Sequence, residues 1–201
     1  MNHNKVLFVH IPKTGGRSIF SALSSINYPD TWERTSRLTD HDAIFNLEKN
    51  NNLSDTFIFS VVRNPFTRAF SHYIHVCKRR SVERKSNISF TEFLHHVRCK
   101  GNSYFLDTPQ EYMPLAIMTQ AFYLHDRSGT MSLINKIYRF ENLNEFEKDF
   151  NTQLPVVNVG NYSKQEYLEA YSKENMNLVR HIYFEDFALF NYSTNFDDSI
   201  K

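Results

Sequence analysis

The chain has 201 residues, 41% of them apolar and 15% aromatic, which suits one domain with a substantial core. Its net charge of +1 leaves no global field that points to nucleic acid or a membrane surface. Two cysteines, Cys77 and Cys99, match neither a disulfide framework nor a zinc pattern and read as free thiols of a reducing compartment. In chain order, residues 6–9 form a short apolar run that reads as a buried strand. Residues 10–18, HIPKTGGRS, follow, and then a helical pattern places Ile19, Leu23 and Ile26 on one face. A strand, a Gly-containing loop and a helix N-terminus in succession make an anion site, because the first helical N–H groups lack partners and the dipole adds positive charge. Gly15 and Gly16 permit close backbone approach, Lys13 adds a full charge, and Ser18 adds a hydroxyl donor.

The nucleoside-triphosphate version of such a loop reads GxxxxGK[ST]. Here Lys13 precedes both glycines, and Arg17 stands where that pattern wants lysine. The order therefore argues against an ordinary ATPase or kinase.

Residues 27–42 are polar and read as loop and short helix, with Thr39 or Asp40 as a cap that puts His41 in the first turn of the next helix. Thr56–Val62, TFIFSVV, reads as a second buried strand parallel to the first. It runs into Arg63-Asn64-Pro65, with Asn64 as helix cap and Pro65 in the first turn, so that Phe66, Phe70 and Tyr73 share a face. Arg63 then sits at the C-terminal edge of the sheet, where open α/β sheets bind ligands. Lys78, Arg79, Arg80, Arg84 and Lys85 form a basic stretch, either a solvated face or a contact for an anionic acceptor. Ser89 and Glu92 form a capping box before Phe93, Leu94 and Val97. Residues 134–140 read as a third strand, Asn144–Phe150 as a helix, and Ser163 with Glu166 as a further capping box. The remaining C-terminal pattern is helical and aromatic.

Several of these segments resemble the sulfotransferases that use 3′-phosphoadenosine 5′-phosphosulfate (PAPS). PKTGGRS resembles their 5′-phosphosulfate loop. VVRNPFTRAFSHY resembles their 3′-phosphate segment, R-[DN]-P-[FW]-x-R-x-x-S-x-Y. Residues 120–124 resemble a Q-[SA]-x-Y-L element, residues 139–143 resemble R-[FY]-E-[ND]-L, and residues 183–192 resemble a closing Y-x-x-D-x-x-x-F-x-Y. The likeness is to the carbohydrate, heparan sulfate 2-O-sulfotransferase-like group. It implies a single domain over residues 1–201 with a three-layer α/β fold of the P-loop type, its central, mostly parallel sheet flanked by helices. It also implies that Lys13, Thr14, Gly15, Gly16, Arg17 and Ser18 hold the 5′ end of PAPS, and that Arg63 and Ser71 hold the 3′-phosphate. The run from Thr119 to Leu124 would line the acceptor cleft, although packing alone also explains it.

The expected reaction is transfer of the sulfuryl group to a hydroxyl of a small-molecule or glycan acceptor, by in-line displacement and without metal. Lys13 would stabilise the leaving phosphate. In relatives with a histidine base it precedes the second strand, and His41 matches that place; His72 is next in line. His10 is expected to pack or hydrogen-bond locally. Two rivals stand beside this reading: a nucleotide-dependent phosphotransferase on the same fold, and a binding protein that has lost catalysis. The apolar run at residues 6–9 is too short for a secretory signal, and no stretch approaches the roughly 20 apolar residues of a membrane span, so a cytoplasmic protein is expected. Neither the acceptor nor the oligomeric state is encoded in these features.

Overall fold

Thr56–Val62 is the central strand, and its burial explains its composition. Every residue after Thr56 is buried on both sides of the pleat, the condition under which a parallel strand reads as an unbroken β-branched and aromatic run rather than as alternation. The computed structural model describes residues 5–25, 42–50, 52–75, 88–100, 118–155 and 162–200. In chain order the elements are β1 (Lys5–Val9), α1 (Gly16–Ser25), α2 (Ile44–Asn50), β2 (Thr56–Val62), α3 (Pro65–Tyr73), α4 (Phe90–Lys100), α5 (Gln120–Leu124), β3 (Lys136–Arg139), α6 (Asn144–Phe150), α7 (Lys164–Ala170), α8 (Lys173–Ile182) and α9 (Phe184–Leu189). Short 3₁₀ turns occupy Phe140–Asn142 and Phe196–Ser199. The chain gathers into two compact units, one from Met1–Arg63 and Gln120–Val159, the other from Asn64–Thr119 and Gly160–Lys201.

The first unit holds a parallel sheet in the order β1-β2-β3. Phe8 pairs with Phe59, and Ser60 with Ile137. One face of the sheet presents Val6, Phe8, Phe57, Phe59, Val61 and Tyr138 to Ile19, Ala22 and Leu23 of α1 and to Phe146 and Phe150 of α6. Phe59 is its centre, with the Phe8 ring at 5.0 Å and the Phe146 ring at 5.7 Å. Truncating so enclosed a ring to alanine costs about 3–5 kcal/mol. Leu7, Val9, Ile58 and Val62 alternate to the opposite face and are also buried. Ser60, on that same face, donates its hydroxyl to the Val9 carbonyl at 2.7 Å. The fold is thus α/β, a parallel sheet flanked by helices, as expected.

β3 is shorter than residues 134–140. Asn135 replaces strand pairing with its side chain: its Oδ1 accepts from Ile58 N–H at 2.7 Å while its own N–H donates to Ile58 O at 2.8 Å. After Arg139 the chain turns into the 3₁₀ segment.

The described residues of the second unit form helices. Asn64 caps α3, its Oδ1 accepting from Phe66 N–H at 2.9 Å, with Pro65 in the first turn. Phe66 and Phe70 are buried among aromatic rings: Phe66 meets Tyr171, Phe187 and Phe196, and Phe70 meets Phe90, Tyr162 and Tyr167. The Tyr171 hydroxyl donates to Phe66 O at 2.6 Å. The capping boxes at Ser89/Glu92 and Ser163/Glu166 are both formed. Among the described residues no helix is long and apolar enough to cross a membrane.

Candidate functional site

Parallel strands deliver their C-terminal ends to one edge of a sheet. In the first unit that edge receives three segments: the loop after Val9, Arg63 after Val62, and Phe140 after Arg139. The loop passes through two left-handed backbone positions, Lys13 at φ 71° and Gly15 at φ 86°. That conformation is free for glycine but costs a lysine roughly 1–2 kcal/mol, which the surrounding contacts must supply. One such contact is the Thr14 hydroxyl, wholly buried, which donates to Ile11 O at 2.8 Å. Thr14 therefore offers an anion its backbone N–H rather than its side chain. Gly15 O accepts from Ser18 N–H at 3.0 Å, closing the first turn of α1.

Both glycines are required by close approach. A Cβ on Gly15 would lie 3.0 Å from the Phe140 ring. A Cβ on Gly16 would overlap the His10 ring outright. His10 itself stacks on Phe8 at 5.5 Å and meets Phe20 edge-on at 5.2 Å, the packing role expected of it. Lys13 and Ser18 are half-buried at the mouth of α1, and Arg17 is exposed.

Arg63 is brought to this loop. Its Nη1 donates to Lys13 O at 3.1 Å, and its guanidinium lies over the Phe140 ring at 4.2 Å. The Arg63 backbone is held by Gln120, whose Oε1 accepts from Arg63 N–H at 2.8 Å and whose Nε2 donates to Arg63 O at 2.9 Å. The loop amides, the start of α1, Lys13 and Arg63 thus concentrate positive charge on one sheet edge, the surroundings a phosphate or sulfate ester needs.

Ser71 lies on α3 in the second unit and is buried there. His72 is buried beside Phe93, with ring centroids 6.1 Å apart. His41 and the basic stretch from Lys78 to Lys85 lie outside the described residues. His95 pairs with Glu174 at 3.0 Å on the surface. No group of metal-ligating side chains is present among the described residues. An open groove near Ser25, Glu147, Lys148 and Gln153 contains none of the motif residues.

Three residues make contacts that the sequence does not disclose, Gln120 among them, which is expected there only as part of a run lining the acceptor cleft. Gln120 and Phe140 both brace Arg63, yet their only sequence signal is membership of short family-like strings. The third is Asp126, in the segment between α5 and β3. Its carboxylate is buried and accepts from the N–H and hydroxyl groups of Ser128, Thr130 and Ser132. The Ser128 hydroxyl first, then the other donors, hold it far below the usual aspartate range against the opposing effect of burial. The second arginine of the expected phosphate segment is also structural. Arg68 is buried in the second unit, donates to Met118 O at 3.0 Å and lies 3.9 Å from the buried Asp186 carboxylate. Asp186 is the acidic residue of the closing aromatic string, so both strings meet in one ion pair. Tyr183 beside it is pushed up to about 12 by burial, with Arg68 opposing and Asp186 adding.

Comparison with curated proteins and with solved structures finds no match. Residues 1–193 match the model of the sulfotransferase family. With a phosphate-type loop, a parallel sheet and an arginine brought to that loop, the chain belongs to the sulfotransferase family, whose chemistry is sulfuryl transfer.

Proposed function

We propose that the chain transfers the sulfuryl group of PAPS to a hydroxyl of a carbohydrate acceptor, in the manner of the 2-O-sulfotransferase-like group. The observation that carries this reading is the Arg63–Lys13 contact, which puts one residue from each phosphate segment on the same sheet edge. The 5′-phosphosulfate would lie on the loop amides of residues 13–18, and the 3′-phosphate against Arg63 and, by the sequence motif, Ser71. In the transfer a sulfur–oxygen bond forms to the acceptor hydroxyl and the bond from sulfur to the phosphate oxygen breaks. The electron pair leaves on the 5′-phosphate, where Lys13, the amides and Ser18 neutralise it. The hydroxyl proton goes to a base, assigned to His41 from its place before β2.

Calorimetric titration tests the donor. Adenosine 3′,5′-bisphosphate, the product nucleotide, is expected to bind without metal, whereas preference for ATP with magnesium would establish the phosphotransferase reading instead. His41→Ala tests the base: bisphosphate affinity should stay within about twofold while turnover falls at least about 100-fold, the usual contribution of a general base. Unchanged turnover moves the role to another histidine, and His72→Ala is then the variant to assay.

A further inference from the structure

Gln120 is wholly buried, and both ends of its amide are committed to the backbone of a single residue, Arg63. Arg63 is the first residue beyond β2, where the ladder that held Val62 to Arg139 has ended. The Arg63 N–H and C=O would otherwise lose their regular partners. The Gln120 amide supplies what a neighbouring strand would: an acceptor for the N–H and a donor for the C=O. Two bonds to one residue restrict its backbone dihedrals, and those dihedrals aim the side chain. The Arg63 guanidinium then reaches Lys13 O at 3.1 Å and the Phe140 face at 4.2 Å.

The amide is itself rigidly held. α5 spans only Gln120–Leu124, but Ala121, Tyr123 and Leu124 are buried, and Phe122 meets Phe45 of α2 at 5.5 Å. Gln120 thus faces inward onto the Arg63 backbone. A buried aliphatic residue would fill the same volume without a polar group to satisfy. The cost of burying an amide is offset only by a geometry that uses both its ends.

We infer that Gln120 is the positioning residue for Arg63, and through it sets the site's selectivity for nucleotides that carry a 3′-phosphate. This rests on the PAPS reading above and adds a residue to it. Gln120 makes no ligand contact in this assignment; it acts by holding the arginine fork at the angle that pairs with phosphate.

The test compares affinities for adenosine 3′,5′-bisphosphate and adenosine 5′-monophosphate, which differ only by the 3′-phosphate. Three full-length proteins are titrated: wild type, Gln120→Met and Gln120→Glu. Met keeps the length and removes both hydrogen bonds; Glu keeps the acceptor and loses the donor. In the wild type the bisphosphate should bind more tightly. In Gln120→Met that preference should shrink by about tenfold or more, while monophosphate affinity stays within about twofold. Gln120→Glu should fall between. A merely structural role would lower both affinities together. Preference retained in both variants overturns the inference while leaving the donor assignment standing. Absence of any preference in the wild type overturns the donor assignment, and the inference with it. Should Gln120→Met fail to fold, the isosteric Gln120→Glu carries the same comparison.

Discussion

The Arg63 guanidinium bonds the carbonyl of Lys13 and at the same time covers the ring of Phe140, whose edge would lie 3.0 Å from a Cβ on Gly15. One arginine is thereby locked to the loop after β1 through that loop's main chain and through an aromatic plate. Replacing it should separate fork geometry from charge. Arg63→Lys keeps the charge but loses the planar fork and the stacking surface. Affinity for adenosine 3′,5′-bisphosphate should fall about 10–100-fold by calorimetry, the range for losing a charge-assisted hydrogen bond. An affinity equal to that of the wild type would mean that Arg63 serves the loop alone and no ligand.

The His10 ring occupies the space a Cβ on Gly16 would need. Gly16→Ala must therefore push aside a ring already packed between Phe8 and Phe20. Overpacking of this kind costs about 1–3 kcal/mol. Adding His10→Ala opens the space, so the double variant should be more stable than the sum of the two single changes. Chemical denaturation of the four proteins in the cycle measures the coupling. Additive losses would show that the ring swings away freely.

Arg68 and Asp186 are both buried, so removing either leaves a charge without its ion-pair partner. Asp186→Leu and Arg68→Met should each destabilise by about 3–5 kcal/mol, and the two together by less than either. Preference for a 3′-phosphate should persist in whichever single variant stays folded, because the pair holds the helical unit rather than the phosphate edge. Loss of that preference in a stably folded Arg68→Met protein would add Arg68 to the binding residues.

These contrasts mark what a sequence can and cannot disclose here. Elements set by local chemistry were legible: β2 at Thr56–Val62, the Asn64 cap with Pro65 and the helix Asn144–Phe150 follow from composition, capping residues and spacing alone. The third strand was overextended because Asn135 bonds Ile58 through its side chain, a substitution that propensity does not register. Roles that depend on a distant partner were not legible. Arg63 and Arg68 occupy one motif, and only the structure shows that Arg63 reaches the Lys13 carbonyl while Arg68 lies in a buried ion pair. Gln120 reads only as part of a run that lines the acceptor cleft or packs, until its amide is seen on a backbone it does not adjoin in sequence.

Asp126 supplies a pH signature in the stability of the fold. Its carboxylate, held far below the ordinary value by Ser128, Ser132 and Thr130, is ionised in the folded protein well below the pH at which the unfolded chain takes up the proton. A depressed pKa of this kind adds stability that is fully present above the unfolded value of about 4 and lost as pH falls toward the folded one. Asp126→Asn removes the charge and turns an amide N–H₂ toward groups that are themselves donors, so it should destabilise by about 1–3 kcal/mol at neutral pH. The gap between wild type and variant should narrow as pH drops below about 4, because only the wild type has a carboxylate to protonate. Denaturant titrations at pH 7, 5 and 3.5 follow that gap (values chosen to bracket an ordinary aspartate of about 4). A gap that stays constant across them would mean the loop is held by the hydroxyl and amide contacts alone, with no contribution from the charge.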